Sequence, residues 1–140
     1  MTHRLAALAG FGAALVAGAA MGQSAIPTRT PLATLPIAAP KTVARVEATQ
    51  VDFAPGQAMP RHMHTVPVVC FVTKGEFLAH IGDAPERRVS EGGVTYEAPG
   101  ETVWSVRNAS TSTPAQLRCA VLAGADDTVL NRMLDDAPKP

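Results

Sequence analysis

The chain has 140 residues, with twelve prolines, eleven glycines, and basic and acidic side chains balanced at twelve each. This length allows one domain, and the balanced charge gives no support for a nucleic-acid partner or a polybasic membrane-binding face. The frequent Pro and Gly residues favour short strands and turns over long helices.

The N-terminus has the features of a secretory signal peptide. A basic start, MTHR, precedes an uncharged run from Leu5 to Met21, and small residues follow it. We predict that residues 1–22 are a signal peptide, cut after Ala19 or Gly22. A retained membrane anchor is the alternative, because the uncharged run is close to the minimum length of a membrane span, about 17 residues. Ala and Gly make a weak span, so we expect a periplasmic or secreted protein with no stable membrane span after cleavage.

Residues 23–41 are predicted to form a Pro-rich extended arm. Four prolines between Ile26 and Pro40 are too closely spaced for a helix and remove donors from any strand ladder. The apolar side chains of this arm have nothing within the segment to bury them. We therefore expect them to cover the folded domain or a second copy in a homodimer.

Beyond Lys41, short alternating or apolar segments are separated by turns, with no amphipathic helix between them. This pattern predicts about seven antiparallel strands in residues 42–124, arranged as an all-β sandwich or small barrel. Residues 125–140 are expected to be a short tail, in which DDTVLNRML could form a helical turn. The predicted strand segments are TVARVEATQVDF, VPVVCFVTK, EFLAHI, GVTYEA, TVWSVR and AQLRCAVLA.

Two histidines, His62 and His64, stand one residue apart just before an apolar run. Side chains alternate along a strand, so these two point the same way and Met63 points oppositely. Two imidazoles on one face can reach one metal ion, although a site needs at least a third protein ligand. Met59 and Met63 would suit copper, but Met63 should face away. The alternative is a pair that merely lines a polar pocket.

Two groups of residues keep the spacing of the two motifs of the cupin family of small β-barrels. The first motif is carried by Gly56, His62, His64 and Gly75, and the second by Gly93, Pro99 and Asn108. The chain resembles this family from about Val43 to Ala123. The resemblance implies an antiparallel cupin-type β-barrel, or jelly roll.

The resemblance also implies a metal site of three histidines and one glutamate, of which this chain keeps two. Val68 stands at the glutamate position and Trp104 at the third histidine position, and neither side chain can coordinate a metal. One divalent metal ion on His62 and His64, or no metal at all, is therefore expected.

Three further side chains could complete such a site, although the motif places none of them. They are Glu97, Glu101 and His80. We expect Glu97 to face outward, because its apolar neighbours Tyr96 and Ala98 look like core residues. His80 is expected to face outward as well, since the core-facing residues of its segment are Phe77, Ala79 and Ile81.

The resemblance further implies a pocket inside the barrel, lined by Val68, Cys70, Trp104, Val106 and Asn108. Trp104 could equally fill space left by a lost metal. Cys119 lies on the closing strand, which in the cupin arrangement is expected to run beside the strand of Cys70. We therefore consider a disulfide between these cysteines, with two buried free thiols as the alternative.

The function that the resemblance implies is that of an exported small cupin protein. It would bind a small molecule, with a divalent metal on His62 and His64 as a further hypothesis. One alternative is a metal-dependent enzyme of the dioxygenase or isomerase type with an incomplete ligand set. Another is a non-catalytic dimeric interaction module. No arrangement for metal-free nucleophilic or acid–base catalysis is visible, so the catalytic residues are unknown.

Overall fold

A computed structural model describes residues 29–37 and 41–134. The predicted signal peptide and the last six residues lie outside the described part. From Pro31 onward the described residues belong to one compact unit. They form ten strands, in chain order β1 Arg45–Phe53, β2 Ala58–Met59, β3 His62–His64, β4 Val68–Lys74, β5 Glu76–Ile81, β6 Arg87–Ser90, β7 Val94–Glu97, β8 Thr102–Asn108, β9 Ala115–Ala123 and β10 Asn131–Met133.

The strands form two antiparallel sheets. The first has the order β1-β9-β4-β7, and the second has the order β10-β3-β8-β5-β6 with β2 also paired to β8. No strand is joined to its partner by a helix in the described residues, and no helix there has the length and hydropathy that a membrane crossing requires. The prediction of an all-β antiparallel fold is confirmed.

The hydrophobic core lies between the two sheets. Phe53 of β1 and Phe77 of β5 come from different sheets and meet edge to face, with ring centroids 5.0 Å apart. Burial of each such side chain stabilises the fold by roughly 1.5–3 kcal/mol. Val72 of β4 and Leu117 of β9 join the same cluster. The apolar alternation in the sequence reflects this single buried face of each strand.

Gly75 forms the sharp connection between β4 and β5. Its φ of 76° lies in the left-handed region that favours glycine. A Cβ atom at this position would also come within 3.0 Å of the Cβ atom of Ala115. Both the backbone angle and the close approach of β9 therefore require glycine here.

Two expectations about the ends of the chain need correction. Residues 131–133 form strand β10 rather than a helical turn, because their backbone pairs with β3 in the register Asn131↔His64. In residues 29–37, the part of the arm below Lys41 that the structure describes, Leu32 and Ile37 are 64% and 48% exposed, so the domain does not cover these two side chains as expected. The short strands β2, β6 and β10 were too brief for the sequence pattern to reveal.

Candidate metal centre

His62 and His64 both project from β3 into the space between the sheets. The Nδ1 atom of His62 lies 2.7 Å from the carbonyl oxygen of Pro60, and that of His64 lies 3.2 Å from the carbonyl oxygen of Leu130. A carbonyl oxygen only accepts hydrogen bonds, so each Nδ1 carries a proton and donates it. This arrangement leaves both Nε2 atoms pointing into the site, which is how metal-binding histidines are usually held.

Glu97 of β7 brings a carboxylate to the same point. Its Oε2 atom lies 2.9 Å from Nε2 of His64 and 4.0 Å from Nε2 of His62. Glu97 is only 6% exposed and His62 only 7%. One donor atom from each of the three side chains lies within 4.8 Å of the other two. Two imidazoles and one carboxylate therefore converge in a buried place, as in three-ligand metal sites with open positions.

The expectation that Glu97 faces outward is wrong. β7 pairs with β4 in the register Val68↔Glu97 and Cys70↔Thr95, and residues directly opposite each other in antiparallel strands share a face. Val68 and Cys70 face inward, so Glu97 and Thr95 do too. The apolar character of Tyr96 suggested the opposite face, but Tyr96 is turned away from the core.

The position of Glu97 bears directly on the missing cupin glutamate. Val68 occupies the place where the motif has its glutamate, and Glu97 stands directly opposite Val68 on the neighbouring strand. The carboxylate is thus supplied by β7 rather than by β4. The spacing along the first motif could not reveal it, because the residue belongs to a different segment. A prediction of which residue pairs with Val68 would have indicated Glu97 as the carboxylate.

The charge of Glu97 affects the protonation of His64. Burial lowers the pKa of His64, but the hydrogen bond to Glu97, the carboxylate charge and the Leu130 carbonyl together raise the pKa above its ordinary value of 6.5. When His64 is protonated, its Nε2–H points toward Oε2 of Glu97, where a cation would bind. Metal binding must displace that proton.

A cavity of about 360 Å³ opens beside these three side chains. Val68, Cys70 and Val106 line it, as the resemblance implied, and Met59 does so too. Cys70 and Cys119, which are paired across β4 and β9, form a disulfide in the wall of this cavity.

Trp104 and Asn108 do not line the cavity, which corrects the expectation for both. The pairing of β5 with β8 shifts between His80↔Ser105 and Ile81↔Val103, so Trp104 is the extra residue of a β-bulge. Its ring stacks on His80, with centroids 5.9 Å apart, and its Nε1 atom donates to the carbonyl oxygen of Gly82 at 3.1 Å. Trp104 therefore packs on the outer side of the sheet.

Asn108 is buried for a structural reason. Its Nδ2 atom donates to the carbonyl oxygens of Ala54 and Thr113 at 3.1 and 2.7 Å, and its Oδ1 atom accepts from the backbone N–H of Ser110 at 3.0 Å. These bonds hold the loop between β8 and β9. The other two candidate ligands, Glu101 and His80, also lie away from the cavity.

A family model described as a cupin domain matches residues 49–121, which is more than half of the chain. No curated protein matches the chain in sequence. An oxalate oxidase in complex with the substrate analogue glycolate has 27% sequence identity and a TM-score of 0.51, over 56% of this chain and 42% of that chain. The present chain thus spans less than half of that oxalate oxidase.

Two further solved structures show the same fold at lower identity. One is an uncharacterized protein with a double-stranded β-helix domain from Klebsiella pneumoniae, with 19% identity and a TM-score of 0.54 over 64% of this chain and 75% of that chain. The other is a predicted oxalate decarboxylase from Thermotoga maritima, with 18% identity and a TM-score of 0.50 over 55% of this chain and 65% of that chain. With the family model covering most of the described strands, the chain belongs to the cupin family.

Proposed function

We propose that this cupin domain binds one divalent metal ion through Nε2 of His62, Nε2 of His64 and the carboxylate of Glu97, and a small molecule in the adjoining cavity. The observation that carries the proposal is the convergence of three donor atoms, two of them on buried side chains and one on a partly buried side chain, with both Nδ1 atoms engaged by backbone carbonyls. This donor set suits a divalent transition metal and leaves coordination positions open.

A metal ion in this place would act as a Lewis acid toward an oxygen atom of the bound molecule. The residues of the chain have separate tasks in that arrangement. His62 and His64 fix the position of the ion, because the Pro60 and Leu130 carbonyls hold their rings. Glu97 supplies the negative charge that compensates part of the charge of the ion.

Isothermal titration calorimetry with zinc, manganese, nickel, iron and copper tests the proposal. We expect the untagged protein to bind one ion per chain, and the variants His62→Ala and Glu97→Gln to lose most of the affinity. Glu101→Gln and His80→Ala are the matched controls, because both residues lie away from the cavity. Equal heats for the parent and for Glu97→Gln would contradict the assignment of Glu97.

A metal-dependent enzyme is the second candidate. The open coordination positions beside a cavity favour it, because a substrate could reach the metal there. The similarity to an oxalate oxidase makes oxalate one substrate to test, although it covers only part of that protein. A non-catalytic dimeric module is the remaining alternative.

We also propose that the protein is exported to the periplasm or the outside of the cell. The uncharged N-terminal run supports this proposal, and so does the disulfide between Cys70 and Cys119, since disulfides persist mainly in oxidising compartments. Cell fractionation of the expressed full-length chain, with N-terminal sequencing of the mature form, tests it.

A further inference from the structure

The side chains that line the cavity beside the candidate metal centre include two carboxylates. Its wall is mostly apolar, and among the described residues that line it there is no lysine or arginine. The deeper wall is formed by side chains such as Phe53, Val106 and Leu117, together with the disulfide. Apart from the two histidines, which hold the metal ion in the proposed function, no described residue of the lining could offer a positive charge to a ligand.

The lining contains a second carboxylate, that of Glu47, whose charge is compensated by an arginine that does not line the cavity. Nε of Arg45 binds the Glu47 carboxylate at 2.8 Å, on the exposed side. The other two nitrogen atoms of Arg45 donate to the carbonyl oxygens of Gly124 and Asp127 at 2.8 and 2.7 Å. Arg45 is not among the residues that line the cavity, and its guanidinium is already engaged by these three partners.

The charges of the site limit what can bind beside the ion. A divalent cation with one carboxylate and two neutral imidazoles carries a net charge of about +1, which one monoanionic group neutralises. A dianion would leave one negative charge in an apolar cavity without a partner, and burying an unpaired charge is strongly unfavourable. The apolar wall, in contrast, gains free energy by contact with hydrocarbon.

We infer that the natural ligand of this cavity is a small molecule with one metal-binding oxygen group and an apolar body, such as a monocarboxylate or a neutral oxygen chelator, rather than a small dicarboxylate. The inference rests on the proposed metal site for the oxygen group. The inference that the ligand has an apolar body rests on the cavity wall alone, so this part can be tested without metal.

Methyl NMR spectroscopy can test this inference with three probes: hexanol, hexanoate and oxalate. In the metal-free protein we expect hexanol to shift the methyl signals of Val68, Val106 and Leu117, and oxalate to leave them unchanged. In the zinc-loaded protein we expect hexanoate to bind at least ten times more tightly than oxalate. Zinc is suitable because it is diamagnetic and has no redox chemistry.

A pair of variants tests whether the absence of a basic side chain from the lining causes the preference for hexanoate over oxalate. Thr49 of β1 lines the cavity and is exposed, so Thr49→Arg can place a guanidinium at the rim. It should raise the affinity of the zinc-loaded protein for oxalate and reduce its preference for hexanoate. Ala48→Arg adds the same charge on the opposite face of the same strand and should change neither value.

The possible outcomes separate this inference from the proposed metal site. If zinc does not bind but hexanol shifts the cavity methyl signals, the metal proposal fails and the apolar body of the ligand is supported. If zinc binds and oxalate is held as tightly as hexanoate, the metal site is supported and this inference is overturned. Absence of any methyl shift with hexanol and hexanoate would also overturn it.

Discussion

Glu97 and Val68 face each other across β7 and β4, and only one of them can donate to a metal. We predict that Glu97→Val weakens metal binding about 100-fold or more, since loss of an outer-shell partner alone costs about 10- to 100-fold. Adding Val68→Glu should restore much of the affinity, because the carboxylate returns at the same level of the barrel. Calorimetry on the single and double variants measures both effects.

Val69→Glu is the matched control for this exchange. Val69 is next to Val68 on β4 and pairs with Tyr96, so its side chain faces away from the site. In the Glu97→Val background it should not restore binding. Recovery by Val69→Glu, or parent-like affinity of Glu97→Val alone, would show that the carboxylate does not act as a ligand.

The proton on His64 should make metal binding depend on pH. Although burial lowers its pKa, the hydrogen bond and charge of Glu97 outweigh that effect and raise the pKa above 6.5. Metal affinity should therefore increase as pH rises through this raised pKa. NMR titration of the imidazole in the metal-free protein should give a midpoint above 6.5 for the parent and a lower one for Glu97→Gln.

The same shift has a consequence for stability in the absence of metal. A pKa that is higher in the folded than in the unfolded state stabilises the fold below the unfolded value near 6.5. That contribution is lost as pH rises through the folded pKa of His64. Urea unfolding should show this loss in the parent and not in Glu97→Gln, and identical pH profiles for the two proteins would contradict the assignment.

Residue-level spacing predicted His62 and His64 on one face, and the structure places both in the cavity wall. The same spacing predicted the wrong face of the strand for Glu97 and for Trp104. The alternation of apolar residues in β7 predicts the wrong face for Glu97, because Tyr96 is apolar but faces outward. The β-bulge at Trp104 reversed the alternation of β8, and nothing in the local sequence marks such a bulge.

At the level of elements, β10 supports the candidate site from the edge of its sheet. Its neighbour Leu130 accepts a hydrogen bond from Nδ1 of His64, and the same carbonyl accepts from the backbone N–H of Thr65 at 3.1 Å. All three residues of β10 are exposed, so the strand adds little to the core. Its sequence has no strong strand pattern, so the sequence does not predict this strand.

We predict that a chain ending at Thr128 keeps its β-sheet circular dichroism but binds metal about 10- to 100-fold more weakly, because the ring of His64 loses its backbone acceptor. A chain ending at Leu134 keeps β10 and should bind metal like the parent. If both truncated proteins bind equally well, the Leu130 carbonyl does not position His64.

The disulfide connects two neighbouring strands, β4 and β9, that are 49 residues apart in sequence at Cys70 and Cys119. Closing a loop of this length stabilises the fold by about 4 kcal/mol in the loop-entropy model. The variant with Cys70→Ala and Cys119→Ala should lose a comparable free energy of unfolding in urea. Reduction of the parent should cause a similar loss, and two free thiols in the denatured, non-reduced parent would rule out the bond.

At the scale of the whole molecule, the candidate site joins the two sheets. The histidines come from β3 in the second sheet, and Glu97 comes from β7 in the first. A site shared in this way depends on how the sheets pack, and therefore on the core around Phe53 and Phe77. The fold was predictable because the motif spacing and the alternation of apolar residues act over many positions. The complete site was not predictable, because it depends on which single residues pair between strands that are far apart in sequence.

The arm before the first strand carries apolar side chains that the single chain leaves exposed. Leu32 and Ile37 are largely exposed in the single chain, and such apolar side chains commonly mark contact surfaces. We predict that a second copy of the chain covers them in a homodimer. The double variant Leu32→Ser and Ile37→Ser should then shift the protein toward the monomer in sedimentation equilibrium.

Thr34→Ser is the control for this experiment, because Thr34 is exposed in the same segment and carries little apolar surface. Its association should equal that of the parent. Deleting residues up to Pro40 should have the same effect as the double serine variant, since both remove the apolar contact. A parent protein that is monomeric at high concentration, or an equal dimer constant for all four proteins, would mean that the arm is only a linker to the barrel.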